Sequence, residues 1–160
     1  MPDFTTEELE RAFLTHMEKV EDIRARGAWD ELPLLFTEDV EYVEHAFGTF
    51  HGRDEVGRWA VRTMTAYPGR VMTGFPLAWH VVDAPTGRVI CELRNLMPDP
   101  GDGSALEESN ITILTYAGGD LWSREEDVYN PMRFAQLATE WARRAEAHGT
   151  LPEDARGFLS

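Results

Sequence analysis

The chain has 160 residues, with 29 acidic against 15 basic side chains and a formal net charge of -14 at pH 7. One domain of this length buries roughly 70% of its unfolded surface, and the acidic excess repels phosphate backbones and anionic lipid, which argues against nucleic acid and membrane partners. No apolar run approaches the roughly 20 residues needed to span a bilayer. Cys91 is the single cysteine and the start of the chain shows no signal peptide, so a soluble cytoplasmic protein is expected.

Behind the capping pattern Thr5-x-x-Glu8, the residues Leu9, Phe13, Met17, Val20 and Ile23 recur at helical spacing. They predict a long amphipathic helix ending near Gly27. A short helix is expected over Asp30 to Phe36, with Pro33 in its first turn. Val40 to His45 alternates as a strand. Gly48 and Gly52 then turn the chain into a third helix, whose Val56, Trp59, Ala60 and Met64 share a face and which Pro68-Gly69 closes. From there the apolar period changes to two. Strands are predicted at 71–82, 89–97, 106–116 and 121–129, and the short separators rich in Gly, Pro and Asp imply an antiparallel meander. Asn130 and Pro131 supply an N-cap and a first-turn proline for a last helix, with Phe134, Leu137, Ala138, Trp141 and Ala145 in one stripe. The expected class is α+β: a curved antiparallel sheet packed on N-terminal helices, with a C-terminal helix. Residues 1–150 would form this single domain and 151–160 an irregular tail.

The first strand ends at Glu44-His45, two groups able to move protons. An unperturbed histidine titrates near neutrality, so His45 suits a general base at physiological pH, whereas Glu44 needs its pKa raised by burial. Alternation places Glu44 with Tyr42 and Val40, and His45 with Val43 and Glu41, so only one of the two points inward unless a bulge intervenes. Further along, His80, Glu92, Glu108, Asn110 and Tyr129 sit among apolar neighbours and need hydrogen-bond partners if buried. Asn110 is the best orienting donor among them. Trp59, Trp79, Phe47, Phe50, Phe75 and Met72 offer an apolar lining, although aromatic residues at such spacing are usually core. The five histidines show no paired ligand spacing. There is no Gly-rich phosphate loop and no Gly-x-Ser-x-Gly elbow, and Cys91 reads as a small core residue, so neither metal nor cofactor is expected.

The pieces Trp29-Asp30, Leu34-Leu35-Phe36, Glu38-Asp39-Val40, Tyr42-Val43-Glu44-His45-Ala46-Phe47-Gly48 and Gly52-Arg53-Asp54-Glu55-Val56 form a first block. Gly118-Gly119-Asp120 through Glu126-Asp127-Val128-Tyr129-Asn130-Pro131 forms a second. Together, over residues 6 to 147, they resemble the nuclear transport factor 2-like superfamily, in its SnoaL-like and ketosteroid-isomerase-like branch. The resemblance implies a cone with a pocket between the concave sheet and the helices, and a base near the end of the first strand, where Glu44-His45 stands. It also implies a homodimer through the open sheet face, for which Trp122 and Val128 would supply an outward strip. Asp127 matches an aspartate in the Trp-Arg-Asp-Tyr-Phe-Asp segment of limonene-epoxide-hydrolase-like members. Their arginine-x-aspartate pair falls here on Arg94-Asn95-Leu96, so that hydrolase set is incomplete unless Glu92 replaces the missing acid. The Tyr-Asp pair of dehydratase-like members corresponds to the region Arg24-Ala25-Arg26, which disfavours a dehydratase.

Two functions stay open, since this fold hosts both enzymes and binders. One is a cofactor-independent general acid/base enzyme of isomerase, cyclase, lyase or epoxide hydrolase type. It would act on a small hydrophobic metabolite, with His45 and Asp127 catalytic and with Tyr42, Trp59, Trp79, Glu92, Asn110 and Tyr129 around the substrate. The other is a non-catalytic small-ligand-binding or oligomerisation module.

Overall fold

Helix α1 (Thr6–Arg26) starts where Thr5 Oγ1 accepts the Glu8 N–H at 3.1 Å, and it ends at Gly27, whose φ of 66° lies in the left-handed region. Glycine takes that conformation without a Cβ penalty, and its N–H closes on the Arg24 carbonyl. The structure, a computed structural model, describes residues 3–160. A 3-10 turn (Trp29–Leu35) leads into strand β1 (Phe36–Glu44), and β2 (Gly48–His51) folds back on it. Helix α2 (Gly52–Met64) follows, then β3 (Leu77–Asp83), β4 (Arg88–Leu96), β5 (Glu107–Gly118), β6 (Leu121–Val128) and helix α3 (Pro131–Ala147). Asn130 caps α3 by accepting the Met132 N–H at 3.0 Å. The architecture is α+β: N-terminal helices, a curved six-stranded sheet and a C-terminal helix. Among the described residues, no helix is long and apolar enough to cross a membrane.

The strand order is β2-β1-β6-β5-β4-β3. Strands β3 to β6 form the predicted antiparallel meander, but β1 lies parallel to β6, so the sheet is mixed. Parallel pairing needs a long crossover, and the whole of α2 through β5 lies between the two strands. The stretch 71–82, predicted as a strand, forms one only from Leu77, with a register shift between Leu77 and Trp79. Gly69–Val71 is a 3-10 turn, and Pro76 lacks an N–H, so only its carbonyl joins the ladder, accepting from Arg94 N at 3.0 Å. Gly48–His51, read from sequence as part of a turn, forms the short edge strand β2. Residues 151–160, expected to be irregular, contain the 3-10 helix Glu153–Phe158, with Ala155 fully buried.

Two clusters make the interior. In the first, Leu9 and Phe13 of α1 and Val56, Trp59 and Ala60 of α2 pack on the concave face of the sheet, against Phe36, Val40, Val89, Leu114 and Trp122. In the second, Leu137, Ala138, Trp141 and Ala145 of α3 meet Tyr67, Met97 and Ala155. Trp122 is thus not part of an outward strip: it is 0% exposed. The β5–β6 register slips between Thr115 and Tyr116, so Arg124 opposes Thr115 while Trp122 opposes Tyr116. Such a bulge switches the face of the side chains on either side of it. Trp122 accordingly turns inward against Tyr116, with ring centroids 4.9 Å apart.

Candidate functional site

Strand alternation decides which polar groups meet. Tyr42 opposes Glu125 and Glu44 opposes Asp127 across the parallel β1–β6 seam. Thr112 opposes Asp127, and Cys91 opposes Thr112. Side chains directly across a ladder share a face, so Tyr42, Glu44, Glu125, Asp127, Asn110, Thr112, Cys91 and Asn95 all belong to the concave side.

The Tyr42 hydroxyl lies 2.6 Å from Asp127 Oδ2 and 3.0 Å from Glu125 Oε1. Thr112 Oγ1 donates to Asp127 Oδ1 at 2.6 Å. Behind it, Asn110 Nδ2 donates to Thr112 Oγ1 at 2.9 Å, and Asn95 Nδ2 donates to Asn110 Oδ1 at 2.8 Å. Among the described residues, no arginine, lysine or histidine hydrogen-bonds to either acid. Burial, and then the charge of Asp127, push Glu125 well above the ordinary carboxyl range. Burial also raises Asp127, although bonds from Thr112 and Tyr42 pull it back. Two close carboxyl groups that cannot both ionise cheaply share a proton, which separates an acid from a base. The Cys91 thiol beneath them is pushed up to about 12, by burial first and then by Glu125 and Asp127, which disfavours the thiolate that a nucleophile needs.

Beside this pair, the Tyr129 hydroxyl bonds to Glu44 at 2.6 Å and 2.7 Å to its two oxygens, and Ala46 N–H adds a third bond at 2.9 Å. Burial raises the Glu44 pKa against the effect of the Tyr129 bond. The Tyr42 ring continues into an aromatic row. Trp59 lies 4.8 Å from Tyr42 and stacks on Phe50 at 5.4 Å.

Of the residues singled out from sequence, Tyr42, Asp127 and Asn110 belong to one hydrogen-bonded chain, Trp59 packs beside it, and Tyr129 binds the neighbouring Glu44. His45 is not in that chain. It follows the last residue of β1, its Nε2 lies 3.0 Å from Glu126 Oε2, and its side chain is 42% exposed. Glu126 alternates with Glu125 and Asp127, so this pair occupies the convex face. Trp79 and Glu92 oppose each other there too, apart from the carboxyl pair. His80 is held by Glu10 at 2.8 Å and lies against Phe13. Arg94 pairs with Glu107 on the surface.

Sequence reasoning missed Glu125 and Asn95, and it placed Thr112 on the face of Asn110 only as part of the wall. The available signal was the i, i+2 spacing of Glu125-x-Asp127 and of Asn110-x-Thr112, which places each pair on one strand face. Two of the surface clefts lie against α2. One, of about 660 Å³, lies between the Trp29–Leu35 turn and α2 and is lined by Leu34, Arg53, Arg58 and Arg62 among others; the second, of about 270 Å³, is lined by residues including Trp29, Met64 and Met72. Neither is lined by Glu125 or Asp127.

No protein-family model matches the chain, and no curated protein matches its sequence. Solved structures do match its shape. A hypothetical protein of ketosteroid isomerase-like fold from Catenulispora acidiphila DSM 44928, in complex with trimethylamine, is 20% identical, with a TM-score of 0.51 over 78% of this chain and 83% of that one. An NTF2-like protein from Anabaena variabilis ATCC 29413 is 14% identical, with a TM-score of 0.60 over 81% of this chain and 95% of that one. A putative polyketide cyclase from Xanthomonas campestris pv. campestris is 18% identical, with a TM-score of 0.58 over 81% of this chain and 96% of that one. With the helices, mixed sheet and closing helix described above, these likenesses give the chain the nuclear transport factor 2-like fold.

Proposed function

We propose that the chain is a cofactor-independent general acid/base enzyme acting on a small hydrophobic metabolite, in the SnoaL-like and ketosteroid-isomerase-like manner. One observation carries this: two carboxyl groups on one strand face, Glu125 and Asp127, share the Tyr42 hydroxyl. Asp127 takes a proton from carbon or from water, and Glu125 gives its proton to the oxygen that becomes negative. Tyr42 touches both acids, so it can return the proton from Asp127 to Glu125 after turnover. Trp59, Phe50 and the Tyr42 ring form the flat apolar wall that a ring-containing substrate needs. An isomerase or cyclase is favoured over an epoxide hydrolase of the Asp-Arg-Asp pattern. Leu96 stands where that pattern needs an acid, and Arg94 is engaged with Glu107 on the other face. A likeness in fold to a putative polyketide cyclase points the same way.

The test is turnover of a panel of enones, polyketide-like rings and epoxides. Asp127→Asn and Glu125→Gln are each expected to lower the rate of an active substrate by roughly 10²- to 10⁴-fold. Full rates in both variants would overturn the assignment. Loss in His45→Ala with Asp127→Asn unaffected would move the chemistry to the convex face.

A non-catalytic ligand binder is the second function with support of its own. Aromatic rings beside carboxylates suit an organic ammonium ion, the kind of ligand bound by the Catenulispora protein. Calorimetric binding of trimethylamine without turnover of any panel member would select it. In either function we propose a homodimer through the convex sheet face, where Trp79 is 45%, Val81 51% and Val128 37% exposed.

A further inference from the structure

The polarity of a hydrogen-bond chain is set wherever one of its members has no choice. Asn95 Nδ2 donates to the backbone carbonyl of Glu108 at 3.2 Å, and a backbone carbonyl only accepts. This fixes which end of the Asn95 amide is the nitrogen. The same nitrogen faces Asn110, whose nearer atom must therefore be the oxygen, leaving Asn110 Nδ2 to point at Thr112 Oγ1. Thr112 accepts that bond, so its single proton is free for Asp127 Oδ1. The chain crosses β4, β5 and β6, and each link from Asn95 through Asn110 and Thr112 donates toward Asp127.

We infer that Asn95, Asn110 and Thr112 are positioning residues that hold Asp127 as the ionised member of the carboxyl pair and leave the shared proton on Glu125. The inference deepens the acid/base function proposed above and rests on that assignment for its use in catalysis, although the proton's location stands on geometry alone. Asp127 receives Thr112 on Oδ1 and Tyr42 on Oδ2, so both its oxygens are acceptors. Glu125 has the longer Tyr42 contact at 3.0 Å and also meets the Asp127 carboxyl itself, so between two carboxyl groups the one with fewer donors on it carries the proton. The stronger upward push on Glu125 agrees with this order. Other titratable groups near Asp127 are Glu44 from β1, with Tyr129 upon it, Cys91 from β4 beneath Thr112, and His45 beyond the end of β1. From α2 the neighbour is uncharged Trp59.

A polarising role differs from mere packing in what it moves. The experiment is carboxyl carbon NMR of the full chain labelled in Asp and Glu, titrated without substrate, with Asp127→Asn and Glu125→Gln assigning the two signals. Asp127 is expected to titrate below Glu125 in the native chain. Thr112→Val should raise the Asp127 midpoint by about one pH unit, the scale of one lost bond to a carboxylate. Thr112→Ser, which keeps the hydroxyl, should restore it. Asn110→Ala, at a partly exposed position, should shift Asp127 in the same direction and covers the case in which the valine variant does not fold. An unmoved Asp127 signal in a folded Thr112→Val or Asn110→Ala chain overturns the inference, as does an Asp127 that titrates above Glu125 natively. Because no substrate is used, a failed turnover panel leaves this result standing, and a failed titration leaves the panel result standing.

Discussion

Tyr42 and Asp127 stand on different strands, 85 residues apart in sequence, yet the phenol oxygen and the carboxyl oxygen are 2.6 Å from each other. Parallel pairing sets Tyr42 opposite Glu125, and the length of the phenol lets it reach diagonally to the next acid on that face. One hydroxyl thereby bridges an acid and a base. Tyr42→Phe keeps the ring against Trp59 and removes only the bridge. Its turnover of a panel substrate is expected to fall by roughly 10²-fold, while thermal unfolding stays cooperative. A Tyr42→Phe enzyme at native rate would exclude the hydroxyl from proton transfer.

Buried carboxyl groups make stability depend on pH with a definite sign. Glu125, Asp127 and Glu44 all have pKa values raised above the ordinary ones, with burial the largest cause. The folded chain therefore binds these protons more tightly than the unfolded one. The stabilisation is full below about pH 4, the ordinary carboxyl range, and is lost as pH rises through the raised values. Glu125→Gln, which cannot ionise, should gain stability over the native chain at about pH 8 and lose that advantage by about pH 4. Guanidinium midpoints at the two pH values decide it, and a constant difference would contradict the assignment.

His16 works in the opposite direction. It is 4% exposed, edge-on to Phe36 at 5.9 Å and to Trp122 at 5.7 Å. Burial, with Lys19 as the lesser cause, lowers its pKa from 6.5 to about 3. A base with a depressed folded pKa contributes stability that is present above its unfolded value and lost as pH falls toward the folded one. His16→Leu is expected to flatten the acid limb of the melting temperature between about pH 6.5 and pH 4, whatever it does at neutral pH. An unchanged acid limb would place the protonation elsewhere.

Glu44 keeps its buried carboxyl satisfied mainly through Tyr129. Removing that hydroxyl in Tyr129→Phe leaves Ala46 N–H as its remaining donor. The expected loss is about 1–3 kcal/mol, the range for a buried polar group deprived of its partner, read from denaturant unfolding. A change within error would mean that Glu44 finds water instead.

The convex face holds Trp79, Val81, Ile90, Ile111, Ile113 and Val128 on adjacent strands, by the register of β3 to β6. Val81→Lys places a charge on the β3 edge of that surface, where Val81 is 51% exposed. Sedimentation is expected to show a dimer for the native chain and a monomer for the variant, with unchanged circular dichroism. A native monomer would remove the proposed pairing.

Much of this architecture could be read from local patterns. The Thr5 and Asn130 caps, the glycine after α1 and the periods of 3.6 and two depend on neighbours a few residues away. That is why α1, α2, α3 and strands β4 to β6 lie close to where their spacing placed them. The resemblance to an epoxide-hydrolase segment singled out Asp127, which the fold joins to Tyr42 and Thr112. Glu125 was not singled out, because an acid beside Glu126 and Asp127 looks like a solvated strand end until its opposite strand is known.

What the sequence determined by itself was the set of elements and the faces that each strand possesses. Only tertiary structure decided which face lay inside, and it did so through contacts far apart in the chain. The parallel seam brought Tyr42 to Glu125, the bulge near Thr115 turned Trp122 into the core, and pairing with β5 aimed Thr112 at Asp127. Alternation says that neighbours on a strand point apart, but the choice between the two sides is made by the apolar area that packing removes from water. That choice set His45 apart from the carboxyl pair and joined Asp127 to Tyr42 and Thr112 on other strands.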